Sequence, residues 1–292
     1  TLVSEYMLQQ TQVITVIPYF NRFIKNIPDI ETLAKFDDLK LIKFWEGLGY
    51  YSRVRNLKKA AQVIVKDFNK KLPSNFLKLK SLPGIGDYTA SAISAIAFNK
   101  PLIPLDGNIE RVLKRYLYLK KENQIRKENL IKQKKIFGTS RRSSDYAQAL
   151  MELGALICKP KNPLCDQCPI SKKCTSFIKK DFNLTKIIKK NRDKYFLLKV
   201  YKRNNKYLLV KNNKFNFLKN LNIFPMNELI KPKNFKQNMS FKMSNMNMSV
   251  KIEYNKMIKA IPYSYWIDPK NLKNYTLPTF TKKIVKYLEN HK

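Results

Sequence analysis

The four cysteines of the chain lie in one short stretch, at Cys158, Cys165, Cys168 and Cys174. Their spacing is C-x6-C-x2-C-x5-C, and the sequence has no other cysteine. Four thiolates so close together suit a 4Fe–4S cluster or a tetrahedral zinc ion. Two disulfides are the alternative, but nothing else in the sequence indicates secretion. The spacing favours the cluster, because structural zinc sites usually pair two C-x2-C-like knuckles and only one is present.

A turn with two glycines is the second feature that could do chemistry. Gly84 and Gly86 flank one apolar residue, and Pro83 stiffens the entry to the turn. The N–H groups of this turn, with the positive end of a helix that starts near Asp87, would fit one DNA phosphate. An ordinary turn between two helices is the alternative, because Gly-x-Gly is common there.

Two carboxyl groups lie in unlike surroundings, so that one could act as an acid while the other stays ionised. Glu5 lies on an apolar helix, where burial would raise its pKa and keep it protonated. Asp106 precedes Gly107-Asn108 and a helical run, so it can cap that helix and should stay ionised at the helix N-terminus. A solvated glutamate and a simple cap are the alternatives for these two residues.

The elements that must position these residues are mostly helical up to about residue 178. Apolar spacing predicts helices over residues 2–23, 52–68 and 145–157, and a helix-turn-helix over residues 78–98. Asp37 and Asp38 can cap a further helix that ends at Gly47 and Gly49.

From about Asp193 the character of the sequence changes. Strand-like runs at 195–201 and 207–210 are joined through Asn204-Asn205, which predicts a hairpin. An amphipathic helix is expected over residues 279–289. We therefore predict a domain over residues 1–178, a Lys-rich linker over 179–193 and a second domain over 194–292.

The formal net charge of +37 points to a polyanionic partner, DNA or RNA first. Lys far exceeds Arg, a skew that an A·T-rich genome would also produce, so part of the charge has that simpler cause. No apolar run approaches the ~18 residues that span a bilayer, and no signal peptide is visible. The chain begins at Thr1 inside a helix, which predicts a missing N-terminal piece.

Taken together, these motifs resemble the endonuclease III superfamily of base-excision glycosylases, and within it the MutY-type adenine glycosylases. The resemblance spans residues 1–174 and is carried by Ser4–Val13, Gly47–Tyr51, the glycine turn, Leu105–Asn108 and the four cysteines. It implies a mainly α helix-hairpin-helix glycosylase domain with an iron–sulfur loop, followed by a smaller α+β Nudix-like domain. It also implies the 4Fe–4S cluster as cofactor.

The resemblance implies catalytic roles for four residues. Glu5 would protonate N7 of adenine, and Asp106, positioned by Asn108, would stabilise or transiently bond the sugar C1′. Tyr88 stands where related enzymes that also cut the strand carry a nucleophilic lysine. Because a phenol is a poor imine-former, we predict a monofunctional glycosylase.

The resemblance also implies a DNA-contacting set. The target adenine must leave the base stack, and the family fills the gap with side chains from this set. Tyr50 and its neighbour Tyr51 would otherwise be core aromatics. The predicted DNA-binding residues of the first domain are Gln10, Thr11, Leu48, Tyr50, Gly84, Gly86 and Gln148, and the cysteine loop would present Lys159, Lys161, Lys172 and Lys173 to phosphates.

The second domain departs from the family at the loop that reads the lesion. A Phe-Ser-His loop is expected, and the best local match is Met243-Ser244-Asn245; the only histidine of the chain is His291. Ser244 could still donate a hydrogen bond, and Asn245 could replace part of the histidine contact. There is no Glu-rich hydrolase motif, so we expect recognition without hydrolysis.

Three functions follow. The first is a monofunctional adenine glycosylase that acts on double-stranded DNA with 8-oxoguanine:A or G:A mispairs. The second is an endonuclease III-like glycosylase/lyase, and the third is a catalytically decayed DNA-binding iron–sulfur protein. We expect a monomer without membrane contact, in a bacterial cytoplasm and associated with the nucleoid.

Overall fold

The contacts of the chain divide it into two units. The computed structural model describes residues 1–183, 191–230, 232–243, 245–256 and 261–291. One unit comprises Thr1–Lys35 and Arg55–Ile187, and the other comprises Phe36–Val54 and Ile188–Lys292. The segment Phe36–Val54 is thus grouped with the C-terminal residues. The domain boundaries given above stay a prediction, and residues 184–190 of the predicted linker lie outside the described residues.

Helices build the first unit, as the apolar spacing predicts. They are α1 (Leu2–Leu8), α2 (Val13–Asn26), α3 (Ile30–Lys35), α5 (Ser52–Asp67), α6 (Phe76–Ser81), α7 (Asp87–Phe98), α8 (Gly107–Leu117), α9 (Glu122–Ile125), α10 (Lys127–Gln133), α11 (Ser143–Glu152) and α12 (Thr175–Ile178). The helix predicted over residues 2–23 is two helices, because Gln10 adopts a left-handed backbone with φ of 57°. In the described part of the chain, no helix combines the length and the apolar character that a membrane crossing requires.

Helix α7 lies at the centre of this unit. Its residues from Thr89 to Ala95 are all buried, and most of them are small. A helix that is buried on every side needs small side chains if its neighbours are to approach it closely. Helices α1, α6 and α11 all contact α7, so this one helix sets the positions of the elements that carry Glu5 and the glycine turn.

The glycine turn joins α6 to α7, as predicted. Gly84 has φ of 82°, and a Cβ atom there would lie 2.8 Å from Cβ of Asn56 and 3.0 Å from the ring of Tyr6. The Tyr6 hydroxyl donates a hydrogen bond to the carbonyl oxygen of Pro83. Gly84 is therefore fixed by backbone conformation and by space, whereas a Cβ atom at Gly86 would meet nothing within 4 Å.

Two sheets build the second unit. Strands β1 (Arg192–Val200), β5 (Met226–Leu229), β6 (Met239–Met243) and β7 (Met246–Tyr254) form one sheet in the order β5-β1-β7-β6, with β1 and β7 parallel. In the other sheet, β3 (Lys206–Lys211) pairs with β2 (Lys202–Arg203), β4 (Asn222–Ile223) and β8 (Ser264–Ile267). The helices of this unit are α4 (Asp38–Phe44), capped by Asp37 as predicted, and α13 (Thr279–Asn290).

Helix α13 is anchored to the core of the second unit. Its buried face presents Phe280, Ile284, Val285 and Leu288 to the apolar residues of both sheets. The buried Thr281 hydroxyl donates to the carbonyl oxygen of Asn222, at 2.8 Å. The helix predicted over residues 279–289 is confirmed.

The predicted strand hairpin is only partly right. Asn204 and Asn205 both have positive φ, and they join β2 to β3 in an antiparallel pair. Residues 195–200, however, belong to β1, which pairs with β5 and β7 in the other sheet. The chain changes sheets near Tyr201. Local turn chemistry predicts the turn, but it does not predict the partner of the long strand that precedes it.

We predict that Gly84→Ala and Gly86→Ala differ sharply in stability. The first substitution forces a side chain into positive φ and against Asn56 and Tyr6, so it should destabilise the protein by about 2–3 kcal/mol. The second should stay within about 0.5 kcal/mol. Thermal unfolding of the two variants measures the difference, and equal losses would contradict the proposed packing of the turn.

Candidate active site

Glu5 is a buried carboxyl group on α1. Its side chain is 5% exposed and lies in the same helix as the buried Leu2, Tyr6 and Met7. Burial raises the pKa of Glu5 to about 7; a hydrogen bond with Tyr88 opposes this rise, and the charge of Asp106 adds to it. Its Oε2 atom has no hydrogen-bond partner among the described residues. The burial predicted for Glu5 is found, and near neutral pH this group holds a proton that it can give up.

Tyr88 lies in the first turn of α7 beside Glu5. Burial, and the carboxylates of Glu5 and Asp106, raise the pKa of the Tyr88 phenol well above its ordinary value. The phenol therefore stays neutral and can donate a hydrogen bond. No amine stands at this position.

Asp106 caps helix α8, as predicted. Its Oδ1 atom accepts hydrogen bonds from the backbone N–H groups of Asn108, at 3.0 Å, and Ile109, at 2.7 Å. Burial nevertheless raises the pKa of Asp106, against the lowering effect of these N–H groups, of Arg111 and of the Asn108 side chain. The helix N-terminus thus offsets only part of the cost of burial, which the sequence alone does not show.

A network that the sequence analysis missed ties α8 to the cysteine loop. Arg111 donates from Nη2 to Oδ1 of Asn108, at 2.9 Å, and from Nε to the carbonyl oxygen of Cys158, at 2.7 Å. It also donates to the carbonyl oxygen of Gly154, in a π-helical turn that follows α11. A Cβ atom at Gly154 would lie 2.5 Å from Cβ of Asn108, so only glycine lets this turn approach α8.

The four cysteines share one cavity. Its other lining residues include Arg115, Phe177 and Phe182. Among the described residues, no three His, Cys, Asp or Glu side chains converge as the ligands of one metal ion would. A 4Fe–4S cluster takes one thiolate at each iron, so its ligands stand further apart than those of a single zinc ion. Four thiolates that line one cavity match the four ligands that a 4Fe–4S cluster takes.

Arg115 holds the wall of this cavity. It is 4% exposed, and its Nη1 atom lies 3.3 Å from Sγ of Cys158 and 2.6 Å from the carbonyl oxygen of Lys159. Its Nη2 atom donates to the carbonyl oxygen of Pro160, at 2.9 Å, and its guanidinium lies over the ring of Phe182. A cation that is so buried is suited to stabilise thiolates.

Several predicted DNA-binding residues lie near the glycine turn. The side chain of Gln9, which follows α1, reaches the carbonyl oxygen of Gly84, at 3.3 Å. Gln10, with its positive φ, is exposed next to it, and Thr11 is half-buried. Tyr6 and Gln9, which sequence reasoning did not single out, thus tie the helix that carries Glu5 to the turn.

Leu48 and Tyr50 belong to the second unit, and their side chains differ in exposure. Leu48 is buried, whereas the side chain of Tyr50 is 43% exposed and its backbone has φ of 46°. Arg53 lies over the rings of Trp45 and Tyr50 and donates to the carbonyl oxygens of Leu48 and Gly49. Of Leu48 and Tyr50, Tyr50 is the one whose side chain is exposed to solvent.

Each of the remaining predicted residues either is exposed or lies outside the described residues. Gln148 is exposed on α11, and its amide donates back to the carbonyl oxygen of Ser144. Asn245 is exposed in the β6–β7 turn, where its carbonyl oxygen accepts from the N–H group of Arg192, at 2.8 Å. Ser244 lies outside the described residues. Lys159, Lys161, Lys172 and Lys173 are exposed around the cysteine loop.

Curated relatives with similar sequences are named adenine DNA glycosylases. One from Buchnera aphidicola subsp. Baizongia pistaciae is 42% identical over 178 residues, which are 61% of this chain and 51% of that protein. One from Buchnera aphidicola subsp. Schizaphis graminum is 38% identical over 76% of this chain and 66% of its own length. The Homo sapiens protein is 40% identical over 59% of this chain and 32% of its own length. The chain spans about half to two thirds of the bacterial relatives that it matches.

Solved structures with the same helical fold include two glycosylases. A thermostable thymine-DNA glycosylase superposes with a TM-score of 0.54 at 27% identity, over 61% of this chain and 83% of that one. An endonuclease III–DNA covalent intermediate gives a TM-score of 0.53 at 22% identity, over 61% of this chain and 84% of that one, and it supports the fold alone. Residues 3–135 match the family described as HhH-GPD superfamily base excision DNA repair protein. Over these residues, which are slightly less than half of the chain, the sequence is similar to the HhH-GPD superfamily.

Proposed function

We propose that this protein is a monofunctional adenine DNA glycosylase, which hydrolyses the N-glycosidic bond of adenine mispaired with 8-oxoguanine or guanine. The observation that carries the proposal is the buried Glu5 carboxyl, whose pKa is raised to about 7 by burial and, in addition, by the charge of Asp106. One group can give a proton to the leaving base, and the other can face the positive charge that develops on the sugar. The names of the similar proteins support adenine as the base.

The reaction divides between the two carboxyl groups. Glu5 donates its proton to N7 of adenine, so that the base leaves without a negative charge. Ionised Asp106 then stabilises the oxocarbenium-like sugar, or bonds C1′ transiently, until water attacks. Asn108 and the N–H groups at the start of α8 hold Asp106 in place. Tyr88 holds Glu5 through their hydrogen bond.

Tyr88 argues against strand cleavage. A glycosylase/lyase needs an amine that forms a Schiff base with the sugar, and the phenol of Tyr88 cannot supply one. A non-catalytic DNA-binding protein would have no use for a carboxyl group that is buried with an unpaired oxygen, because such a group costs stability. The monofunctional glycosylase is therefore favoured over the other two functions.

Double-stranded DNA is the proposed partner. The turn from Pro83 to Gly86 would bind a phosphate with its N–H groups, and the exposed lysines around the cysteine loop would bind others. The adenine is extruded from the stack before reaction. Tyr50, which is exposed on its loop, would fill the space beside the opposite base. Gln10 and Thr11 directly follow Gln9, whose amide donates to the carbonyl oxygen of Gly84 in that turn.

Cys158, Cys165, Cys168 and Cys174 would hold a 4Fe–4S cluster. When bound, such a cluster crosslinks the loop that carries them and stabilises its fold. Arg115 and Arg111 then connect that loop to α8, and Arg111 connects it to Asn108 beside Asp106. The cysteine loop would thus keep the catalytic helix in position as well as present lysines to DNA.

The second unit would recognise the lesion opposite the adenine. We assign it to the Nudix-like domains on the sequence pattern, and a mixed sheet with a packed helix is compatible with that assignment. Asn245 is exposed where the family's lesion-reading loop would lie. The roles of Ser244 and Asn245, the monomeric state and the cytoplasmic location remain predictions.

Single-turnover release of adenine from a duplex with one 8-oxoguanine:A pair tests the proposal. We expect strand cleavage only after alkali, a rate that levels off well below pH 7, and a fall that approaches tenfold per pH unit well above pH 7 as Glu5 loses its proton. Asp106→Asn keeps a good helix cap and should lose activity on the order of 10³-fold.

Three outcomes would contradict this account. Strand cleavage without alkali would indicate a lyase, and tight binding without adenine release would indicate a non-catalytic protein. Full activity of Glu5→Gln at every pH would exclude Glu5 as the acid. A G:A duplex that reacts as fast as 8-oxoguanine:A would mean that the lesion is not read.

The cysteine loop yields a separate prediction. Arg115→Met keeps an unbranched apolar side chain but removes the hydrogen bonds to the loop, so the purified protein should hold less iron. Its thiolate–iron absorbance should also decay about tenfold faster in air. A rate change of this size corresponds to the free energy of roughly one charge-assisted hydrogen bond. The matched control is Arg141→Met, which changes an exposed arginine. Equal decay in the two variants would contradict the role of Arg115.

A further inference from the structure

The loop that carries Tyr50 is preceded by a residue that α13 holds. Glu46 follows Trp45 at the end of α4, and its side chain is 12% exposed. Its carboxylate forms one ion pair with Lys43, at 3.0 Å, and a second with Lys282 of α13. Lys43 also donates to the carbonyl oxygen of Lys273, at 3.0 Å. The α4 end of this segment is thus bonded to chain that lies far away in sequence.

The bonds continue from Glu46 into the loop. Trp45 is fully buried, and its Nε1 atom donates to the carbonyl oxygen of Gly49, at 3.2 Å. Arg53 donates to the carbonyl oxygens of Leu48, at 3.0 Å, and Gly49, at 3.1 Å. Burial lowers the pKa of Arg53 to about 10, which leaves its guanidinium charged at neutral pH. These contacts fix the backbone that ends in exposed Tyr50.

A surface ion pair alone would contribute little. Exposed pairs contribute about 0–1 kcal/mol, and the Lys43–Glu46 pair, whose residues are three apart in the sequence, belongs to this class. The pair with Lys282 differs, because it joins separate elements and because Glu46 is shielded from water. Removal of Lys282 would take one positive charge away from a carboxylate that is shielded from water, which costs more than the loss of an exposed pair.

We propose that the Glu46–Lys282 ion pair is a positioning device for the loop that carries Tyr50. Helix α13 is packed on the core of the second unit through its buried face and Thr281. Its position therefore determines where Glu46, the loop and Tyr50 lie. In this way the unit that would recognise the lesion also sets how the wedge residue meets the opposite base. The ion pair does not depend on the proposed function, but its effect on base selectivity does.

Hydrogen exchange in the full-length, cluster-containing protein tests the positioning directly. The amides to follow are those of Leu48 and Arg53, which donate to Trp45 and Tyr50 carbonyl oxygens. Glu46→Gln and Lys282→Met should each speed exchange of peptides over residues 45–54 by about three- to tenfold. The double variant should exchange no faster than the faster single variant.

The control is Lys283→Met, which changes the adjacent and exposed lysine of α13 and should leave exchange unchanged. Unchanged exchange in Lys282→Met, or strictly additive effects in the double variant, would overturn the proposal.

Selectivity supplies the second readout. The ratio of adenine release rates from 8-oxoguanine:A and G:A duplexes should fall about three- to tenfold in each single variant and no further in the double variant. An unchanged ratio with faster exchange would overturn the link to selectivity. If the wild-type protein releases no adenine, the proposed glycosylase function fails, and the exchange data still decide whether the ion pair positions the loop.

Discussion

The removal of the Glu5 carboxyl from water is the constraint on which the rest of the structure depends. A glutamate on a solvated helix face would be ionised at neutral pH and could not act as an acid. Here burial raises its pKa to about 7, and Asp106 adds to that rise. The packing of the helical unit offsets the free-energy cost of this burial. Within the unit, hydrogen bonds from Tyr6 and Gln9 hold α1 against the glycine turn. The proposed proton donor and the proposed phosphate-binding turn therefore depend on the same helix.

Helix α8 connects the chemistry to the cysteine loop. Asp106 caps its first turn, and Arg111 and Arg115, one helical turn apart, reach the backbone of the loop around Cys158. Gly154 permits the close contact, since a side chain there would clash with Asn108. A metal group that orders the loop would thereby order the catalytic helix. This gives a physical reason for a cysteine site that contributes no group to the proposed reaction.

Local sequence predicts what local physics determines. Apolar spacing gives the helices, the Asp37 and Asp106 caps are readable from their neighbours, and Gly84 is required by positive φ. Long-range contacts leave no such pattern. Arg111 meets Cys158 across 47 residues, and β1 pairs with β7 rather than with the strand that the turn suggests. The grouping of Phe36–Val54 with the C-terminal residues is another such long-range feature, because contacts between residues far apart in sequence are set by the whole fold.

Direct titration of Glu5 would test the central claim most plainly. Selective carbon-13 labelling of glutamate carboxyls, with Glu5→Gln to assign the resonance, reports the protonation of this one group in the folded protein. The account predicts a midpoint about two pH units above that of an exposed glutamate, near pH 7. Asp106→Asn should lower the midpoint, because the Asp106 charge contributes to the rise. A midpoint near the ordinary value of 4.5 would contradict the account, since no proton would then remain for the base.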